Sequence, residues 1–211
     1  SNSLAAGYFT NFGRTQRQGV ELSLAQRRGK LNWAVAYSYL KATFESSACL
    51  VSEANSTAEA SGACTGDDEI EVRPDNRLPG LPEHSLKLSA DWQATAAWNV
   101  GAQLTAYSSQ YVRGNENNAH QPDGTDFHGS GRVGGHAVLN LTTQWKPGKN
   151  WEVFGKVNNV LNRRYANAGA LGENAFGPGG VLRVPSDWQA EQFVGAGAPR
   201  GVWVGARLQF Q

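Results

Sequence analysis

Residues 151–169 read WEVFGKVNNVLNRRYANAG, and after a long Gly- and Pro-containing stretch residues 199–211 read PRGVWVGARLQFQ. The second run alternates without a break. Val202, Val204, Ala206, Leu208 and Phe210 fall on one face, and Trp203, Gly205, Arg207 and Gln209 on the other. A period of two means a β-strand whose faces meet different surroundings, one apolar and one polar. An apolar-faced strand running to an aromatic beside the end of the chain points to a sheet closed by its last strand.

The same period recurs upstream and predicts seven strands. They cover Tyr8–Arg27, Leu31–Phe44, Ser85–Ala94, Trp98–Val112, Val133–Trp145, Trp151–Arg164 and Gly201–Phe210. In the second, Leu31, Trp33, Val35, Tyr37 and Tyr39 oppose Asn32, Ala34, Ala36 and Ser38. In the third, Leu86, Leu88, Ala90 and Trp92 oppose Lys87, Ser89, Asp91 and Gln93. The apolar faces carry almost no charge. The opposite faces carry Glu21, Lys87, Asp91, Glu152, Lys156 and Arg207.

Connections alternate in length. The turns RRGK (27–30), Thr95–Ala97 and KPGKN (146–150) are short, whereas about 46–82, 113–131 and 165–199 are long. Pro147-Gly148 suits a turn, because Pro presets φ and Gly permits a positive φ next to it. In an antiparallel sheet alternate connections lie at opposite ends, so all the short turns share one rim. Trp33, Trp92, Trp98, Trp145 and Trp151, five of the seven tryptophans, lie near those turns. Indole rings favour a membrane–water interface, apolar in body and polar at the N–H. Outer-membrane barrels show this asymmetry of turns and loops, with apolar residues toward lipid and polar ones toward the lumen. The alternative is a soluble β-sandwich or lipocalin-like small-ligand carrier, with the apolar face as core.

Bulk composition narrows the classes. Mean hydropathy is −0.47, and no apolar run approaches the roughly 18 residues of a spanning helix. Barrel strands escape that test, because their apolar residues alternate. Lys and Arg number 19 against 18 Asp and Glu, a balance that argues against nucleic-acid binding by bulk charge. There is no methionine, signal peptide or basic leader, as expected of a processed product or a piece of a longer chain. Cys49 and Cys64 have no histidine nearby. A zinc site wants four ligands at closer spacing, so a disulfide in an oxidising compartment is the expectation, with two buried thiols as the alternative.

Several stretches resemble the barrel domain of TonB-dependent outer-membrane receptors. They are VNNVLNRRYANAG and APRGVWVGARLQF in the tail, RQGVELSL (17–24), VRPDNRLPGLPEHSLKL (72–88) and YSSQYVRGNENN (107–118). The resemblance implies an all-β, antiparallel, up-and-down transmembrane barrel of about twenty-two strands. The seven strands here, residues 1–211, would be its last seven, with short periplasmic turns and long extracellular loops, and with the plug domain and TonB-box segment outside the chain. The location would be the outer membrane of a Gram-negative bacterium. The implied function is uptake of a scarce solute, above all a ferric siderophore, with no enzyme activity and no cofactor. The implied partners are that solute, TonB through the plug, outer-membrane lipid and lipopolysaccharide, and the barrel assembly machinery. Family members end on an aromatic that serves assembly. Phe210 fills that place, but Gln211 follows it, which weakens the signal.

Long-loop residues with cationic or aromatic reach are the binding candidates: Tyr111, Arg113, His120, His128, Arg132, Trp188 and Phe193. Arg and aromatic groups suit anionic, ring-bearing chelates through charge pairing and stacking. Loop packing and lipopolysaccharide contact are the alternative for each. His120 and His128 flank Asp123 and Asp126, but their spacing matches no metal motif. No P-loop, GxGxxG or nucleophile elbow is present.

Overall fold

The computed structural model describes residues 13–58 and 63–210. Seven strands form one antiparallel sheet: β1 (Thr15–Arg28), β2 (Leu31–Phe44), β5 (His84–Gln93), β6 (Trp98–Tyr107), β9 (His136–Trp145), β10 (Trp151–Asn158) and β13 (Gly201–Leu208). Their spatial order is β1-β2-β5-β6-β9-β10-β13, so each strand pairs with its predecessor in the up-and-down chain. Three hairpins lie in the long connections: β3 (Ala48–Val51) with β4 (Glu69–Val72), β7 (Gln110–Tyr111) with β8 (Arg132–Val133), and β11 (Ala166–Asn174) with β12 (Gln189–Ala196).

Register carries the alternation across the whole sheet. Leu24 pairs with Val35, Val35 with Leu88, Leu88 with Leu104 and Leu104 with Leu139. Farther along, Val153 stands beside Trp145 and Ala206. On the other face Ala36 pairs with Lys87, Lys87 with Thr105, and Glu152 with Arg207. A slip by one residue in any pair would put apolar side chains among polar ones.

Among the described residues nothing covers the apolar face. Leu22 is 60% exposed and Val204 78%. This overturns the β-sandwich alternative, which needs those residues to meet in a core. The fully buried apolar residues lie elsewhere. Ile70, Val72, Val112 and Val133 come from the hairpins at the long-loop end, and Ala42 and Phe44 from the end of β2.

The strand boundaries differ from the sequence reading in several places. The expected start of the first strand, residues 8–12, lies outside the described residues, and β1 begins at Thr15. The strands expected over Trp98–Val112 and Val133–Trp145 are each interrupted, at Ser108-Ser109 and at Gly134-Gly135. A Cβ on Gly135 would stand 3.0 Å from the Tyr107 carbonyl oxygen, so the two backbones pass too closely for a regular ladder. The strand expected over Trp151–Arg164 stops at Asn158. Asn159 and Asn162 take positive φ, 48° and 49°, which ends an extended run. The stretch 165–199, expected as a loop, is largely the β11–β12 hairpin. Gly29 has the positive φ of a two-residue hairpin turn, 59°, but Gly148 does not adopt one. β13 ends at Leu208, two residues before Phe210, and the Gln209 N–H still donates to Asn150 O at 2.9 Å.

The short-turn rim carries the five tryptophans at matching levels. Trp98 faces Trp145 directly, and Trp92 and Trp151 are each about half exposed. At the opposite rim of the same apolar face, Tyr39 pairs with His84, and the Tyr37 hydroxyl lies 2.8 Å from His84 Nδ1. The sequence reading does not include that second aromatic level, which lies eight residues along β5 from Trp92.

Candidate functional site

The three long connections are bound into one cap. Asn55, fully buried, donates from Nδ2 to the Gly114 carbonyl at 2.7 Å, and its Oδ1 accepts from Thr57 N and Oγ1 at 3.0 and 2.8 Å. Ser52 Oγ donates to the same Gly114 oxygen at 2.8 Å. The Arg77 N–H donates to Asn118 Oδ1 at 2.6 Å, and Asn118 Nδ2 donates back to Arg77 O at 3.0 Å. The second connection meets the third through Arg113 N to Gly169 O, Leu171 N to Arg113 O, and Gln110 Nε2 to Asn167 O. Glycine at 169 permits this docking. A Cβ there would stand 2.7 Å from a Val112 methyl and 3.2 Å from a Val133 methyl. Buried amides of this kind are tolerated because each finds partners. The disulfide expected from sequence joins Cys49 to Cys64, with Cα atoms 5.6 Å apart, and fixes β3 to the returning chain.

Two features at this end of the sheet can receive a solute. The first is a cavity of about 280 Å³ whose lining includes Tyr107, Ser108, Gln110, His136 and Asn167. Tyr107 and His136 pair across β6 and β9 on the polar face. The His136 ring lies 4.5 Å from the Tyr165 ring and 5.6 Å from Tyr107, and its buried Nδ1 has no hydrogen-bond partner. The second lies one rung up the β7–β8 ladder, where Tyr111 pairs with Arg132. The Arg132 guanidinium stands 4.6 Å from the Tyr111 ring centre and that of Arg77 5.5 Å. Arg132 also donates to Ser109 Oγ at 3.0 Å, while Arg77 pairs with Glu83 at 3.2 Å. Aromatic faces, an unspent imidazole nitrogen and a guanidinium with open donors can stack on a ring and bind an anion.

The sequence-derived binding residues do not converge on one point. Tyr111 and Arg132 are together. Arg113, exposed, bridges to Ala170, whose partner across β11–β12 is Phe193, so these two flank one backbone position. Trp188, 39% exposed, is near the tip of the third connection and donates to Arg183 O at 3.4 Å. The His128 N–H donates to Ala190 O, and its buried Nε2 has no partner. His120 is 2% exposed. Its Nδ1 accepts from Ser56 N at 3.1 Å and its Nε2 lies 3.2 Å from Gly129 O, so both nitrogens are engaged within the cap. Burial pushes its pKa below the usual imidazole value, against the opposing pull of the Gly129 hydrogen bond and Asp123. Asp123 is also committed locally. Backbone N–H groups of Phe127, Thr125 and Asp126 hold its carboxyl below the usual carboxylate range. Among the described residues His120, His128 and these aspartates form no ligand cluster. One grouping of potential ligands is Cys49, Cys64 and Glu69, and its sulfurs are spent in the disulfide.

The sequence does not single out His136, Tyr107 and Tyr165 as a site. The available signal is parity: Tyr107 and His136 fall on the polar face of their strands, beside the long connections.

The sequence matches the family described as TonB dependent receptor-like, beta-barrel, over residues 1–160. Among solved structures, the siderophore receptor PiuA from Acinetobacter baumannii superposes with a TM-score of 0.64 at 14% identity, over 92% of this chain and 22% of that one. The ferric-catecholate import receptor Fiu from E. coli K12 gives 0.59 at 18% identity, over 98% of this chain and 22% of that one. The copper transporter OprC gives 0.52 at 15%, over 93% and 24%. Such identities establish the fold alone, and the chain spans less than a quarter of each of these proteins. The family match covers about three-quarters of the residues, and the sheet's order, its sidedness and its one-ended loops agree with it: the chain belongs to the TonB-dependent receptors and forms a segment of their β-barrel.

Proposed function

We propose that these strands are part of the wall of an outer-membrane receptor that takes up a ferric siderophore, with the apolar face toward lipid and the polar face toward the lumen. The observation that carries this reading is the sidedness: seven strands present one uncovered apolar surface, edged by Trp33, Trp92, Trp98, Trp145 and Trp151 at one rim. In that orientation the short turns are periplasmic and the cap of long connections is extracellular. The five indoles form the lower interfacial girdle, and Tyr37, Tyr39 and His84 part of the upper one. The resemblance of the tail supports placing the strands as the closing part of the barrel, with the plug and its TonB contact elsewhere in the receptor. Phe210, 88% exposed and on the parity of Leu208, then serves recognition by the assembly machinery.

The solute class is read from the cap. Tyr107, His136 and Tyr165 present ring faces, and Arg132 presents a cation, which suits an anionic chelate with aromatic donors. This part of the wall has no methionine, and its two cysteines are oxidised to the disulfide, so it offers a bare copper ion no soft ligands. The residues bind and orient cargo; the reading assigns them no bond-making chemistry.

The test is uptake by cells that lack the receptor, complemented with the full-length gene under iron limitation. Wild type restores accumulation of radioiron supplied as a catecholate or other anionic chelate. Arg132→Ala and His136→Ala each weaken binding about tenfold, as expected for loss of one charge-assisted contact or one stacking partner. Restored copper uptake with no chelate uptake would sink the siderophore reading. Recovery of the protein outside the outer-membrane fraction would sink the location.

A further inference from the structure

The apolar face is not smooth. Just above the short-turn rim it holds a groove of about 470 Å³ between Trp98, Trp145, Val153 and Val204, floored by Thr143 and Gly155. The dent follows from sequence. Gly155 sits in register between Thr143 and Val204, one glycine and two β-branched residues beside a level that carries indole. The wall is held in place: Trp98 Nε1 donates to Thr143 Oγ1 at 2.7 Å, and that hydroxyl donates on to Asn99 O at 3.2 Å. Trp98 therefore spends its polar handle inside the sheet rather than on the interface, and its ring lines the groove. The volume falls in the range of small-molecule sites, roughly 300–1,000 Å³.

The turn 146–150 follows directly on Trp145 of the groove wall and carries Lys146 and Lys149 and no acid. Lys146 Nζ leans to within 4.0 Å of Glu152, which also faces Arg207 at 3.9 Å. Lys149 makes no ion pair among the described residues. The short turn at 27–30, on the same rim, adds Arg27, Arg28 and Lys30, and the turn between them at 94–97 adds no charge. The short turns together give this rim a cationic edge just below an apolar slot.

From this juxtaposition we propose that the groove seats one acyl chain of an anionic phospholipid of the periplasmic leaflet, with the headgroup phosphate against Lys149. The proposal rests on the reading that the apolar face meets lipid. Charge selects the occupant: a net cationic turn favours phosphatidylglycerol over a zwitterionic lipid, by about fivefold for one lysine near the surface. The slot supplies position, because a chain lying on Gly155, beside the paired indoles Trp98 and Trp145, is held where bulk lipid would exchange.

The full-length receptor is reconstituted in phosphatidylcholine vesicles containing a minor fraction of bromine-labelled phosphatidylglycerol or bromine-labelled phosphatidylcholine. The quenched signal of Trp98 and Trp145 is taken as the difference from a Trp98→Phe/Trp145→Phe variant. The labelled phosphatidylglycerol is expected to quench that signal at about fivefold lower mole fraction. Lys149→Gln removes the preference, Gly155→Leu fills the slot and removes it too, and Lys30→Gln, on the other hairpin, leaves it intact. Equal quenching by the two lipids in the wild-type protein overturns the site while the lipid-facing orientation stands. Quenching by neither overturns the orientation and the site together.

Discussion

Trp98 stands opposite Trp145 across the β6–β9 ladder, and the next paired level along the same face joins Val100 to Thr143, the residue whose hydroxyl takes the Trp98 N–H. The pair marks where one face of the sheet changes surroundings. Above it, apart from Thr143, that face of β6 and β9 carries only Ala, Leu and Val, and below it lies only a turn. Two adjacent residues above that level separate the faces cleanly. Ala102 faces Ala90 and Leu141, while Gln103 faces Ser89 and Asn140. Arginine at Ala102, near mid-height of the apolar band, is expected to destabilise the folded barrel by about 2–4 kcal/mol. Arginine at Gln103 is expected to cost well under about 1 kcal/mol, because it falls on the polar face. Reversible folding of the full receptor into lipid vesicles measures both. Equal costs would contradict the assigned sidedness.

Asn55 is the keystone of the cap, since its amide satisfies Gly114 and Thr57 at once while wholly buried. Asn55→Leu leaves the Thr57 N–H without its partner, while the Gly114 carbonyl keeps only Ser52 Oγ. The expected loss is about 1–3 kcal/mol for each buried group orphaned. It is confined to the cap, so proteolysis of residues 46–131 should accelerate while the barrel keeps its resistance to detergent unfolding.

The Cys49–Cys64 bond closes a loop of sequence separation 15. Reduction, or replacement of both by serine, is expected to cost about 3 kcal/mol in the chain-entropy model. Ile70 and Val72 lie on the strand paired with Cys49's own, so their amides should lose protection from hydrogen exchange. Amides of the β5–β6 ladder should not.

His120 gives the cap a pH dependence. Its pKa is lowered in the folded state by burial, so the folded cap holds the ring neutral while the unfolded chain binds a proton more readily. The contribution is therefore complete above about pH 6.5, the ordinary imidazole value. It is lost as the pH falls toward and through the lowered folded value. Protease sensitivity of residues 112–131 should rise between about pH 7.5 and about pH 5.5 in the wild type, values that bracket the ordinary one. A His120→Gln variant should show one sensitivity at both values.

Gly169 is predicted to be intolerant of a side chain. A Cβ there meets both Val112 and Val133, which are among the most buried residues of the chain. Gly169→Val should cost about 1–3 kcal/mol by overpacking. Its cost should fall when Val112 is cut to Ala in the same chain, a coupling that a double-mutant cycle reads directly.

The faces of the seven strands were legible because a strand's side chains alternate with a period of two whatever it packs against. Leu86 and Lys87 differ in environment by chemistry alone. The turns were legible from Gly29 and the lengths of the connections. The cap was not. Residues 46–82 and 165–199 look like polar loops. The alternation of Ile70 and Val72 spans only four residues of an acidic run, and the Ala166–Asn174 strand is mostly Ala, Gly and Asn, held by backbone pairing and by amides from other loops. His120 looks like a surface ligand among Asn and Asp, because its partner Ser56 belongs to another connection and Gly129 reaches it only when its own connection folds back. His136 looks like one more strand residue, because its neighbour Tyr165 lies on the far side of the next hairpin.

By itself the sequence determined the order of the seven strands, the register-compatible faces, the rim that collects tryptophan and the cysteine pair. These are properties of short stretches, fixed by local stereochemistry and by the separation of apolar from polar side chains. Only the tertiary structure decided that the apolar face is left uncovered and that the core lies in the cap. It also decided which aromatic rings border the cavity and which guanidinium groups stand over Tyr111 beside it, because those depend on long connections closing on one another across dozens of residues.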